Sequence, residues 1–119
     1  CKHIYFLNNR NLSISMNFNN HPIPLSQDEI MSLAETFRLL GDASRLKILL
    51  FCMRGPSSVG EISDALDLSQ SLVSHNLRLL RSARLVKGER QSKQVFYEID
   101  DLHVSQVLLD MASHISEEH

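Results

Sequence analysis

The chain has 119 residues, 43% hydrophobic and 22% charged, which fits a single compact domain and excludes wholesale disorder. No apolar run approaches the roughly 18–20 residues that cross a bilayer, which excludes an integral membrane protein, and no membrane partner is expected. Two cysteines, Cys1 and Cys52, are too few for a disulfide scaffold or an all-thiolate zinc site, and they fit a reducing, cytoplasmic setting.

Residues 1–25 read as a disordered N-terminal leader: they are rich in asparagine, show no apolar period, and close on Pro22 and Pro24. Ile4 to Leu7 is too short for the apolar stretch of a secretory signal. Met16 offers an alternative start, which would make residues 1–15 an upstream extension. Order is expected from Ser26, where Ser26 and Glu29 form a capping box. Ile30, Leu33, Ala34, Phe37 and Leu40 follow at helical spacing, and Gly41 ends the run. A second helix is expected from Asp42 to Gly55-Pro56, with Leu46, Leu49, Leu50 and Met53 on one stripe. Cys52, between Phe51 and Met53, reads as a small buried apolar residue.

Ser58 and Glu61 make another capping box, opening a short helix with Val59, Ile62, Ala65 and Leu66 inward. Asp67-Leu68 leaves room only for a tight turn before Ser69 caps a fourth helix, ending near residue 83. The period then changes. Residues 86–91 and 94–99 are short alternating runs separated by Ser92-Lys93, the pattern of a β-hairpin. Leu102, Val104, Val107, Leu108, Met111 and Ile115 return to helical spacing, predicting a last helix from residue 101 to about 118. The expected architecture is mainly α with a small β-hairpin, one domain over residues 26–119.

The net charge of -2 conceals a segregation. Residues 69–93 hold six cations (Arg78, Arg81, Arg84, Lys87, Arg90, Lys93) and one acid, whereas residues 98–119 hold six acids and no Lys or Arg. A charge run alone is usually a solvated face, but the motifs sharpen it. Two helices joined by a short turn, the second opening on small polar residues, are a helix-turn-helix pattern. Val73, Leu77 and Leu80 are expected inward. Gln70, Ser71, Ser74, His75 and Arg78 would lie outward, where Gln and Arg can bond base edges in the major groove. Ser69, Ser71 and the amides of the first turn suit phosphates. Arg90, Gln91, Ser92 and Lys93 give the hairpin tip the composition of a wing on a phosphate backbone. Singly, each of these residues is an ordinary exposed polar position, and His75 could be idle. Together they specify double-stranded DNA as the partner.

On the last helix, Asp101 and His103 stand at the start and His114 and Glu117 near the end. His114 and Glu117 are three apart and share a face. His103 and His114 also share it but lie about 16 Å apart along the axis. Zinc–ligand bonds of about 2.0–2.2 Å cannot span that distance within one chain. Two such helices packed antiparallel in a homodimer would bring Asp101 and His103 of one chain to His114 and Glu117 of the other, giving two sites per dimer. A lone histidine on a helix is far more often inert than a ligand. Two pairs on one face, whole turns apart, are harder to dismiss. Imidazole and carboxylate suit zinc or cobalt, with nickel as an alternative.

Residues 69–80 (SQSLVSHNLRLL), the following Arg84-Leu85-Val86, and Asp101-Leu102-His103 with His114 and Glu117 resemble the ArsR/SmtB family of bacterial winged-helix metal sensors. The similarity runs from about residue 25 to 119. It implies a homodimeric transcriptional repressor that leaves its operator when metal binds. In zinc- and cobalt-sensing members the matching ligands occupy Asp101, His103, His114 and Glu117, and those members control efflux pumps or metal-sequestering proteins. The resemblance also implies a bond from the other ring N–H of His114 to a backbone carbonyl near Arg84. Members with a thiolate site on the third helix carry cysteine where this chain has Ser58-Val59-Gly60-Glu61, so that site is not expected. Cys1-Lys2-His3 carries the remaining thiol within the leader.

Two other readings compete. A winged-helix repressor could answer nickel or a non-metal signal, the last helix serving only as a dimer seam. A zinc hydrolase needs an open coordination position and a cleft, and the chain has no HExxH, Gly-rich phosphate loop or nucleophile elbow. No enzyme activity is expected. A passive metal buffer leaves the basic helix and hairpin unexplained.

Overall fold

The computed structural model describes residues 14–18 and 21–117. The element order is β1 (Ile14–Phe18), β2 (His21–Leu25), α1 (Gln27–Leu40), α2 (Ala43–Cys52), β3 (Ser57–Ser58), α3 (Val59–Leu66), α4 (Gln70–Ser82), β4 (Val86–Gln91), β5 (Gln94–Ile99) and α5 (Leu102–Glu117). The chain divides into two compact units, Cys1–Arg38 and Leu39–His119. Among the described residues no helix is long and apolar enough to cross a membrane.

In the first unit two short strands fall within the stretch expected to be a disordered leader. β1 and β2 pair antiparallel, with Ile14 opposite Leu25 and Phe18 opposite His21. Ile14-Ser15-Met16-Asn17-Phe18 alternates apolar and polar residues, the period of a strand. Pro22 and Pro24 are two apart, so both missing N–H groups fall on one edge of β2 and the ladder to β1 survives on the other. Cys1-Lys2-His3 lies outside the described residues. α1 opens on the expected capping box: Ser26 N–H donates to Glu29 Oε1 at 2.9 Å and Glu29 N–H to Ser26 Oγ at 3.1 Å.

The second unit holds the core, built from Ile48, Leu49, Cys52, Ile62, Val73, Leu77, Leu80, Leu85, Val86 and Leu108. Asp42 caps α2 by accepting the Arg45 N–H at 3.1 Å. The stripe expected on α2 is shifted. Ile48, Leu49 and Cys52 are buried while Leu50 is exposed, because contacts come from both α3 and α4 and select a different arc of the helix. Ala65 likewise faces outward, and Ile62 carries the packing of α3.

Local chemistry fixes each boundary of the helix-turn-helix. Ser58 caps α3, its Oγ accepting the Glu61 N–H at 3.2 Å while Glu61 Oε1 accepts the Ser58 N–H at 2.9 Å. Asp67 turns the chain with φ of 58°, and Ser69 Oγ accepts the Leu72 N–H at 3.1 Å to start α4. α4 stops in a Schellman arrangement: Arg84 N–H donates to Arg81 O at 3.0 Å and Leu85 N–H to Leu80 O at 2.9 Å, with Arg84 at φ of 63°. The hairpin runs over the predicted residues, with Val86 opposite Ile99 and Gln91 opposite Gln94. Sequence periodicity had not revealed β3, a two-residue strand that pairs with β5 and gives the sheet order β3-β5-β4.

Candidate nucleic-acid interface and metal ligands

Burial of Val73, Leu77 and Leu80 against the core turns the opposite side of α4 to solvent. Gln70, Ser71, His75 and Arg78 are exposed there, Ser74 is half-buried at its margin, and Ser69 is exposed at the cap. The outward face predicted from the sequence is therefore assembled on one helix. At the far end of the hairpin Arg90, Gln91, Ser92 and Lys93 are all exposed, and Ser92 makes the turn at φ of 61°. A cleft of about 340 Å³, lined by Ser58, Gly60, Gln70, Gln94 and Tyr97 among others, separates the start of α4 from the hairpin. Tyr97 lies so close over β4 that only glycine fits at Gly88, where a Cβ would sit 2.9 Å from the ring.

Arg78, Arg81, Arg84, Lys87, Arg90 and Lys93 are exposed, and among the described residues none forms an ion pair. Unneutralised cations on a helix and hairpin give the field that draws a polyanion. The half-buried Arg45 and the buried Asn76 escaped the sequence reading: Arg45 Nε–H donates to Asn76 Oδ1 at 3.1 Å. A signal for Asn76 existed, because position 76 falls on the inward arc between Val73 and Leu80.

Asp101 precedes α5 and accepts from its first turn: the His103 N–H reaches Oδ1 at 2.7 Å, and His103 Nδ1 lies 2.9 Å from the same oxygen. The backbone and side-chain bonds from His103 hold the Asp101 carboxyl below the usual carboxylate range. Both side chains are open to solvent, His103 at 95% and Asp101 at 50% exposure. His114 and Glu117 are exposed in the last turns of α5. The two pairs are not brought together within one chain: among the described residues no three His, Cys, Asp or Glu side chains cluster as a metal site. Along α5, Leu108 is buried while Leu102, Val107, Leu109, Met111 and Ile115 are exposed.

Comparison with known proteins decides the family. A profile of bacterial regulatory proteins of the arsR family matches residues 42–87, from the cap of α2 to the start of β4. The transcriptional repressor SmtB homolog of Synechocystis is 38% identical over 96 residues, 81% of this chain and 73% of that protein. The chain belongs to the ArsR family. The HTH-type transcriptional regulator NmtR of Mycobacterium tuberculosis is 39% identical over 99 residues, 83% of this chain and 82% of that one. A solved homodimeric winged helix-turn-helix DNA-binding domain from Mycobacterium bovis superposes with a TM-score of 0.67 at 26% identity, covering 76% of this chain and 82% of that one. This ArsR-family chain is accordingly a DNA-binding transcriptional regulator with a winged helix-turn-helix and not an enzyme.

Proposed function

We propose that this regulator is a cytoplasmic, homodimeric repressor that holds operator DNA with α4 and the β4–β5 wing and leaves it when zinc or cobalt binds between chains. Residues 26–119 would form the DNA-binding and dimerisation domain. The observation that carries the reading is the outward Asp101–His103 pair at one end of α5, with His114 and Glu117 at the other. The donor set fits the metal: two imidazoles and two carboxylates suit zinc or cobalt, and each chain offers half of such a set at each end of one helix. When bound, the ion would supply a clamp between the two α5 helices. Asp101 Oδ1 is already engaged by His103, which fixes that carboxylate at the helix start and leaves Oδ2 outside those bonds. The exposed apolar residues of α5 support a seam with a second copy, as does the homodimeric relative. The repressor name of the Synechocystis relative supports repression as the output.

DNA imposes the geometric condition. Two reading helices must lie about 34–36 Å apart to enter successive major grooves. A seam whose angle is set by its own side chains controls that spacing, and linkage then requires DNA to weaken metal binding by the factor that metal weakens DNA binding. Operator binding measured with and without zinc, cobalt and nickel at one fixed salt concentration tests the reading. Zinc or cobalt is expected to weaken it, and metal that binds the protein without changing DNA affinity would refute it. A second reading rests on Asp101 being the cap of α5: its carboxylate then has a structural task, α5 is a seam alone, and the signal is nickel at other ligands or not a metal.

A further inference from the structure

The packing of Val73, Leu77 and Leu80 sets which side of α4 faces the core, but apolar contact has no preferred direction and a hydrogen bond can fix the roll more finely. One polar group interrupts that inner face. Asn76 is 3% exposed, and its Oδ1 accepts the Arg45 Nε–H at 3.1 Å. Arg45 stands in the first turn of α2, where its own N–H donates to the Asp42 carboxylate at 3.1 Å. Its Nη1–H donates to Leu39 O at 3.3 Å, near the carbonyl end of α1. A guanidinium has donors only, so the Asn76 amide is obliged to turn its oxygen toward Arg45. Its NH2 then has no protein acceptor among the described residues. Leucine has the same number of heavy atoms and branches at the same carbon, and it would bring no such buried donor, so Asn76 is poorly explained as a source of stability.

Asn76 lies two residues from both Ser74 and Arg78, roughly 200° around the helix and hence behind the outward face. Roughly 10° of roll moves a side-chain tip about 6 Å from the axis by about 1 Å. Hydrogen bonds to base edges hold over only a few tenths of an ångström. We infer that the Arg45–Asn76 bond sets the roll of α4 and thereby its base preference, both acting as positioning residues that never touch DNA. This rests on the reading of α4 as the helix that reads bases.

The test uses the full chain with two duplexes, one selected by the wild-type protein from a randomised pool and one of scrambled sequence, together with thermal unfolding. Asn76→Leu and Arg45→Met are each expected to lower the ratio of selected to scrambled affinity roughly tenfold, about the effect of one mismatched base pair. Scrambled binding should hold, because the exposed cations remain. The double variant should be no worse than either single, and Asn76→Asp, which keeps the acceptor, should retain the ratio. The inference is overturned by an unchanged ratio in both singles, by additive losses in the double variant, or by a loss that simply follows a lowered unfolding temperature. A wild-type chain that selects no duplex would instead refute the base-reading role of α4, and the inference with it.

Discussion

Asp101 Oδ1 accepts the backbone N–H of His103 at 2.7 Å and lies 2.9 Å from the ring Nδ1 of the same residue. One oxygen thus starts α5 and orients an imidazole, so the cap and the proposed metal half-site are built from the same two residues.

Substitution can separate those roles. Asp101→Asn keeps an oxygen for the cap and loses the charge, so the thermal midpoint should barely move while zinc affinity falls by at least roughly tenfold. Asp101→Ala should lower both. His114→Gln should keep DNA binding and lose most of the metal response. Competition with a chelating dye, run beside DNA binding, checks all three; full zinc response in His114→Gln would place the ligands elsewhere.

The reading helix and the wing should fail differently. Arg78→Ala removes a donor from the outward face of α4 and is expected to cost about 1–3 kcal/mol on the preferred sequence while relaxing base preference. Lys93→Ala removes a charge from the hairpin tip, weakening binding on all sequences and lowering the salt slope by about one. Titrations at several salt concentrations on two duplexes distinguish them.

Cys52 gives a pH prediction. Burial at 1% exposure pushes its thiol from 9.0 up to about 12, so the folded chain keeps a proton that the unfolded chain gives up. Stability from this group is therefore intact below pH 9 and declines between pH 9 and about 12, at up to about 1.4 kcal/mol per pH unit. Urea midpoints from pH 8 to 10.5 should fall more steeply for the wild type than for Cys52→Ala. Parallel slopes would contradict the burial argument, as would rapid alkylation of the native thiol.

Arg84 trades stability against charge. It occupies the left-handed position that ends α4, at φ of 63°, where glycine escapes the Cβ penalty. Arg84→Gly should stabilise by up to about 1 kcal/mol, since the entropy of the unfolded glycine offsets part of the gain. The same change removes an exposed cation and should weaken binding to any duplex. Thermal melts and affinities on two sequences check both directions.

Much of this architecture was legible because local chemistry dictates it. Ser26, Ser58 and Ser69 cap the helices where their neighbours said they would, and the hairpin spans the alternating residues 86–91 and 94–99. Leu50 and Ala65 were misplaced because an apolar stripe specifies a face only to within a neighbour, and tertiary packing chooses the arc. β1 and β2 were missed because asparagine and proline masked a short alternation. Ser57–Ser58 carries no strand signal of its own and is ordered by Tyr97 and Phe96 opposite. The outward face of α4 could be read from its inward one. The proposed metal ligands could be read only as two separated pairs, since no single helix can close a site across its own length.

Ser58 has a double duty: it ends the strand that pairs with Phe96 and its hydroxyl opens α3. The hairpin is therefore riveted at its root to the first turn of the helix-turn-helix. Tilting the hairpin tugs on α3, and in the proposed DNA-binding mode the wing and the helix-turn-helix would shift together. In that mode, accommodation to a bent or oddly spaced duplex would be found away from the Ser58 joint.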